Sequence, residues 1–137
     1  RRRDDIGIYL ALDTLEYMKR GGRVSGARAA IGTLLSVKPI IMVKDGLVER
    51  AENVRTKGKA RERLIEFLCV APMERLSILH TTNAGVEEFA EQLIAAVPGG
   101  IDRSKVTIDL VGPSVGPHLG PGCVGGVALY VEGSRAS

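Results

Sequence analysis

Two rhythms of apolar positions alternate along the chain, one strand-like and one helical. Ile6 to Leu12 is a short apolar run closed by Asp13, the pattern of a buried strand. Asp13-Thr14-Leu15-Glu16 then has the form of a capping box, with Leu12 and Tyr17 placed as a hydrophobic staple. This predicts a short helix ending at Gly21-Gly22, with Lys19 and Arg20 in its last turn. Ser25 caps a second predicted helix running to Val37, whose Ala27, Ala30, Ile31, Leu34 and Leu35 share one face. Pro39 forces the chain out of helix. Lys38 to Lys44 and Leu47 to Val54 are extended runs joined by Asp45-Gly46, a strong two-residue hairpin signal.

Thr56 caps a third helix with apolar Ala60, Leu64, Phe67 and Leu68, while Lys57, Lys59, Arg61 and Arg63 form a basic face. That face reads as a solvated surface or a docking patch for an acidic partner. A strand from Leu76 to His80 follows. Thr82 or Asn83 then caps a helix with the stripe Val86, Phe89, Ala90, Leu93, Ile94 and Val97, stopped by Pro98-Gly99-Gly100. Val106 to Val111 is a strand, Gly112 to Gly122 a rigid glycine- and proline-rich loop, and Val124 to Val131 the last strand. Glu132 to Ser137 reads as a frayed tail. The order of elements predicts an α/β or α+β two-layer sandwich of about six strands with helices on one face. The tight hairpin makes two strands antiparallel, so the sheet must be mixed.

With 137 residues, the chain has the size of one domain with a core of its own. Hydrophobic residues at 45% and charged residues at 26% describe an ordinary globular balance. A net charge of +3, with 4% aromatic residues and no Trp, lacks the dense basicity and the stacking rings of a nucleic-acid binder. Cys69 and Cys123 lack zinc-ligand spacing and read as free thiols of a reducing cytoplasm. No run approaches the roughly 20 apolar residues of a membrane-spanning helix. The charged start, Arg1-Arg2-Arg3-Asp4-Asp5, suits either a processed terminus or a trimmed interdomain linker.

Gly120-Pro121-Gly122-Cys123-Val124-Gly125 matches G-x-G-x-x-G literally. It runs into a strand, however, so a pyrophosphate there would lack a helix N-terminus. Two histidines are too few for a three-ligand catalytic zinc site without carboxylates, and no metal or cofactor site is expected. His80 reads as a strand histidine bonded to backbone. His118 sits between Pro117 and a Gly-Pro-Gly turn, where the chain is stiff yet a ligand can approach the backbone. Arg23, after Gly21-Gly22, can pair with a carboxylate or phosphate bidentately. These residues leave three readings open. One is a ligand-binding module. Another is a small hydrolase or transferase using His118 with a nearby hydroxyl. The third is a protein-interaction module without ligand.

Several segments together resemble one family. Leu12-Asp13-Thr14-Leu15-Glu16-Tyr17-Met18-Lys19-Arg20-Gly21-Gly22-Arg23-Val24 is similar to the L-D-T-L-E-Y-L-x-x-G-G-R-I segment of DegV proteins, bacterial fatty-acid-binding proteins. Lys38-Pro39-Ile40, Val43-Lys44-Asp45-Gly46 and Val54-Arg55-Thr56 resemble the segments that follow. Gly112-Pro113 with Gly116-Pro117-His118-Leu119-Gly120-Pro121-Gly122 resembles the closing G-P-x-x-G-x-H-x-G-P-G motif. The likeness runs from about Ile8 to Val131 and covers the family's C-terminal domain, so residues 1–137 are expected to be that single domain without its N-terminal companion. It implies a non-enzymatic protein holding a long-chain fatty acid in an apolar tunnel between the two domains. His118, Gly120 and Gly122 would lie at the lipid carboxylate, Arg23 on the same rim, and Ala27, Ala30, Ile31 and Leu34 along the acyl tail. The resemblance also implies a partner kinase that phosphorylates the bound carboxyl, with Arg55 and the neighbouring basic face as docking candidates. Exposed tunnel-facing surface would make the isolated domain self-associate.

Overall fold

The computed structural model of the chain describes residues 5–12, 38–81, 85–111 and 122–134. The two helices expected between Asp13 and Val37, the capping box included, lie outside these residues, as does most of the Gly112–Gly122 loop. The first strand, β1, is Ile6–Ala11. Leu12 has left the strand, and its N–H donates to Pro39 O at 2.9 Å. β2 (Lys38–Lys44) and β3 (Leu47–Val54) form the expected hairpin. Asp45 and Gly46 both take positive φ, 53° and 80°. That pair of left-handed residues defines the turn whose twist matches two antiparallel strands.

Helix α1 covers Lys57–Leu68, and the Thr56 hydroxyl accepts from Lys59 N–H at 3.1 Å, as its cap predicts. β4 is Met73–His80, three residues longer at its start than the apolar pattern indicated. The extension arises because Met73 pairs with Tyr130 and is buried. Helix α2 covers Val86–Ala96. Its cap is Gly85 at φ 72°, with no side-chain capping bond, rather than the Thr82 or Asn83 cap the composition suggested. Asp102 introduces a single 3-10 turn, Arg103–Lys105, before β5 (Val106–Leu110), and β6 is Val124–Tyr130.

The six strands among the described residues lie in the order β3-β2-β1-β6-β4-β5. Only β4 and β5 are parallel, and α2 makes the crossover that a parallel pair requires. The sheet is therefore mixed and the fold α/β, as expected. Register assigns faces. Tyr9, Ala11, Ile40, Leu76, Ile78, Val124, Ala128 and Tyr130 turn toward α1 and α2, where they meet Leu64, Leu68, Phe89, Ala90 and Leu93 in one core cluster. On the edge strand β5, Ile108 and Leu110 stay exposed.

Specific contacts fix the layers. The buried Tyr130 hydroxyl donates to Leu68 O at 2.6 Å, satisfying a carbonyl at the end of α1. Tyr9 stacks on Phe67 at 5.1 Å between ring centroids, with the Arg63 guanidinium 5.0 Å from the centroid of Phe67. Arg63 also holds Glu52 of β3 through Nε and Nη2, at 2.7 to 3.1 Å. That hydrogen bonding lowers the Glu52 carboxyl below its ordinary range.

Gly125 and Gly126 interrupt β6 because their neighbours come too close for side chains. A Cβ at Gly125 would lie 2.4 Å from both Tyr9 O and Leu10 Cδ2, and one at Gly126 would lie 3.0 Å from Leu68 Cδ1. Gly125 closes the literal G-x-G-x-x-G and sits inside a strand, so no helix opens within that motif. Gly125→Ala should cost about 1–3 kcal/mol of stability in urea titration through overpacking. Gly58→Ala, in the first turn of α1 with nothing within 4 Å of the added Cβ, should instead be neutral or stabilise by up to about 1 kcal/mol.

Candidate functional site

One end of the sheet collects the features the sequence singled out. β1, β3, β4 and β5 end there, β2 and β6 begin there, and both α1 and α2 start there. Helix N-termini carry partial positive charge from their unsatisfied N–H groups. Leu12 and Pro39 are hydrogen-bonded to each other, so the stems flanking residues 13–37 meet at this end.

The stems flanking residues 112–121 are held more firmly. His80 O accepts from Val111 N–H at 2.8 Å. Thr81 N–H donates to Cys123 O at 3.0 Å, and the Thr81 hydroxyl accepts from Cys123 N–H at 2.9 Å. Two consecutive residues at the end of β4 thus grip both stems of the glycine- and proline-rich segment. The role of Thr81 is not visible in the sequence, because its partner lies 42 residues away.

The His80 side chain is buried on the helix-covered face, in a cross-strand row with Ala11, Val124 and Leu110. Its Nδ1 has no hydrogen-bond partner among the described residues. The neighbouring strands take up the His80 backbone groups through the ladder.

Of the predicted site residues, Gly122 and Arg55 lie among the described ones. Gly122 has φ 82° and lines a small depression with Ala11, Leu12, Val124 and Ala60. Lys38, Lys57 and Arg61 complete its wall. Arg55 is exposed between β3 and the cap of α1, at the same end. His118, Arg23, Gly120, Ala27, Ala30, Ile31 and Leu34 lie outside the described residues.

The basic face of α1 proves to be two stripes. Lys59 and Arg63, four residues apart, pair with Glu62 and with Glu52 and Glu66 respectively. Lys57 and Arg61 form the other stripe and turn toward the depression. The four-residue spacing already separates the two pairs, because alternate residues lie on opposite sides of a helix. Lys38 belongs to a family segment in the sequence, but only the fold brings the start of β2 beside α1.

Both cysteines are free. Burial pushes the Cys69 thiol up to about 11, so it stays protonated and weakly nucleophilic. Among the described residues no helix is long and apolar enough to cross a membrane.

The family model described as an uncharacterised protein of the DegV family matches residues 1–131, and the chain belongs to that family. A DegV domain-containing protein of Streptomyces coelicolor is 35% identical over 130 residues, which span 91% of this chain and 45% of that protein. The fold matches a solved fatty-acid-binding DegV family protein from Thermus thermophilus, with TM-score 0.78, 30% identity and coverage of 93% of this chain and 46% of that one. It also matches DegV, a fatty acid binding protein from Bacillus subtilis, with TM-score 0.67, 31% identity and coverage of 91% and 44%. The chain spans just under half the length of these relatives.

Thr81→Val keeps the shape of the side chain but removes the acceptor for Cys123 N–H. It should destabilise by about 1–2 kcal/mol and speed hydrogen exchange at Cys123 more than in the β2–β3 hairpin. Amide-exchange mass spectrometry resolves the two regions.

Proposed function

We propose that this chain is the C-terminal half of a non-enzymatic carrier that holds a long-chain fatty acid and presents its carboxylate to a partner kinase for acyl-phosphate formation. The reading is supported most by one observation: the stems of both family segments, residues 13–37 and 112–121, meet at a single end of the sheet, beside a wall rich in cations. The names of the matched relatives agree, since the Thermus and Bacillus proteins bind fatty acid.

In this reading the lipid lies between this domain and an N-terminal domain. Burial of each CH₂ contributes about 0.8 kcal/mol, so a long tail supplies the affinity. A carboxylate removed from water needs donors, and His118 supplies one beside Gly120 and Gly122. Arg23 adds charge at the rim, and Ala27, Ala30, Ile31 and Leu34 cover the tail. Arg55, exposed at the same end, is the docking contact for the kinase. The carrier takes no metal or cofactor and works in the cytoplasm.

Native mass spectrometry of the gently purified full-length protein should show a co-purified mass of a common fatty acid. His118→Ala should weaken binding about 10-fold or more, the loss of one hydrogen bond to a charged group. Turnover of a model ester that disappears in His118→Ala, with lipid absent, would instead establish a hydrolase. The isolated 137-residue chain should bind a labelled fatty acid weakly, because it lacks the other wall. With Ile108 and Leu110 exposed, it should also self-associate in sedimentation runs at high concentration.

A further inference from the structure

The two edges of the sheet are finished differently. β3 forms one edge and β5 the other. β3 carries Glu49, Arg50 and Glu52, and its pairing with β2 shifts register between Ile40 and Ile41. Charges and irregular pairing of this kind keep an edge from joining another strand. β5 has neither device. Asp109 is its one charge, and its register with β4 runs unbroken from Val106 to Leu110. Four of its five residues are exposed.

Ile108 stands beside Ile78 in the ladder, yet Ile78 is fully buried and Ile108 is 46% exposed. The helix layer therefore covers β4 and leaves this part of β5 open. Leu110, on the same face, is 65% exposed. The backbone is directed as well. Val111 N–H donates to His80 O, so by strand alternation the N–H and C=O groups of Val106, Ile108 and Leu110 point away from β4. On the other face the Thr107 hydroxyl donates to Ser77 Oγ at 3.2 Å and anchors the middle of the strand.

We propose that β5 pairs with β5 of a second copy of this chain, antiparallel and about a twofold axis at Thr107. A strand that pairs with itself makes an isologous contact, which closes at a dimer. The run Lys105-Val106-Thr107-Ile108-Asp109 is complementary to its own reverse. Val106 of each copy faces Ile108 of the other on the helix-covered side, and their outward N–H and C=O groups make the hydrogen bonds. On the other side Thr107 faces its own copy, and Asp109 faces Lys105. Charge selects this register. Centring the pair on Ile108 would set the two Asp109 carboxylates diagonally across from each other, and parallel pairing would set them side by side. Lys105 also acts on Asp102, so the ion pair fixes register while the backbone supplies the attraction. A ladder this short lies at the low end of interface sizes, so the dimer is concentration-dependent rather than permanent. The pairing does not rest on the fatty-acid reading.

Sedimentation of the full-length protein over a range of concentrations should show a reversible monomer–dimer equilibrium. Ile108→Pro removes an outward N–H without touching the β4 ladder, and Ile108→Lys places a charge on the edge. Each should raise the dimer Kd about 10-fold or more, because symmetry loses every contact twice. Circular dichroism establishes that the variants are folded, and Ile108→Lys, at a side chain already exposed, carries the test if the proline variant is not. Mild oxidation reads the register. Thr107→Cys should cross-link to its own copy, with Cβ atoms about 5 Å apart, and Asp109→Cys should not. The unsubstituted protein, with Cys69 and Cys123, sets the background. A protein monomeric at every concentration, a dimer indifferent to both Ile108 variants, or cross-linking that favours Asp109→Cys would overturn the proposal.

Discussion

The grip of His80 and Thr81 on Val111 and Cys123 is the constraint from which the rest of the site follows. It is made mostly from backbone groups, so it depends on β4 lying between β5 and β6 in register. The register in turn depends on β6 approaching β1 and α1 closely, which the paired glycines at 125 and 126 permit. The chain has thus given up side-chain packing at the centre of its sheet to bring three strand ends to one line. Bonds of this kind are individually modest, but here they close a ring between residues far apart in sequence.

The ion pairs have a different task. Arg63 joins α1 to β3 through Glu52 and covers Phe67, at a place only partly exposed. Exposed pairs such as Lys59 with Glu62 contribute little to stability. Lys59 and Arg63 pair with acids on the side of α1 that faces the hairpin, and Lys57 and Arg61 line the site end.

Much of the fold was legible because the local signals agreed with the tertiary outcome. Asp45-Gly46 demanded two left-handed residues and took them, and Thr56 capped α1 as its hydroxyl allowed. The boundaries that moved were set by distant partners. Met73 joined β4 because Tyr130 pairs with it, and Gly85 took the cap position in contact with Arg61. The site was legible as motifs but not as a constellation. Gly122 and Arg55 carried signals in the sequence; Thr81 did not, since its role arises from strand order alone. Seven of the residues chosen for the lipid site lie outside the described ones, and their roles rest on the family resemblance.

The left-handed glycine at position 85 has an evolutionary consequence. A side chain at position 85 would need the space the Arg61 guanidinium occupies, so change at 85 is coupled to position 61. A side chain at 85 would be strained by the left-handed backbone itself and would also push the Arg61 guanidinium aside. The two positions are therefore coupled across the gap between α1 and α2. Losing the arginine would free the space but not the left-handed backbone, so the glycine is favoured at 85 on its own account.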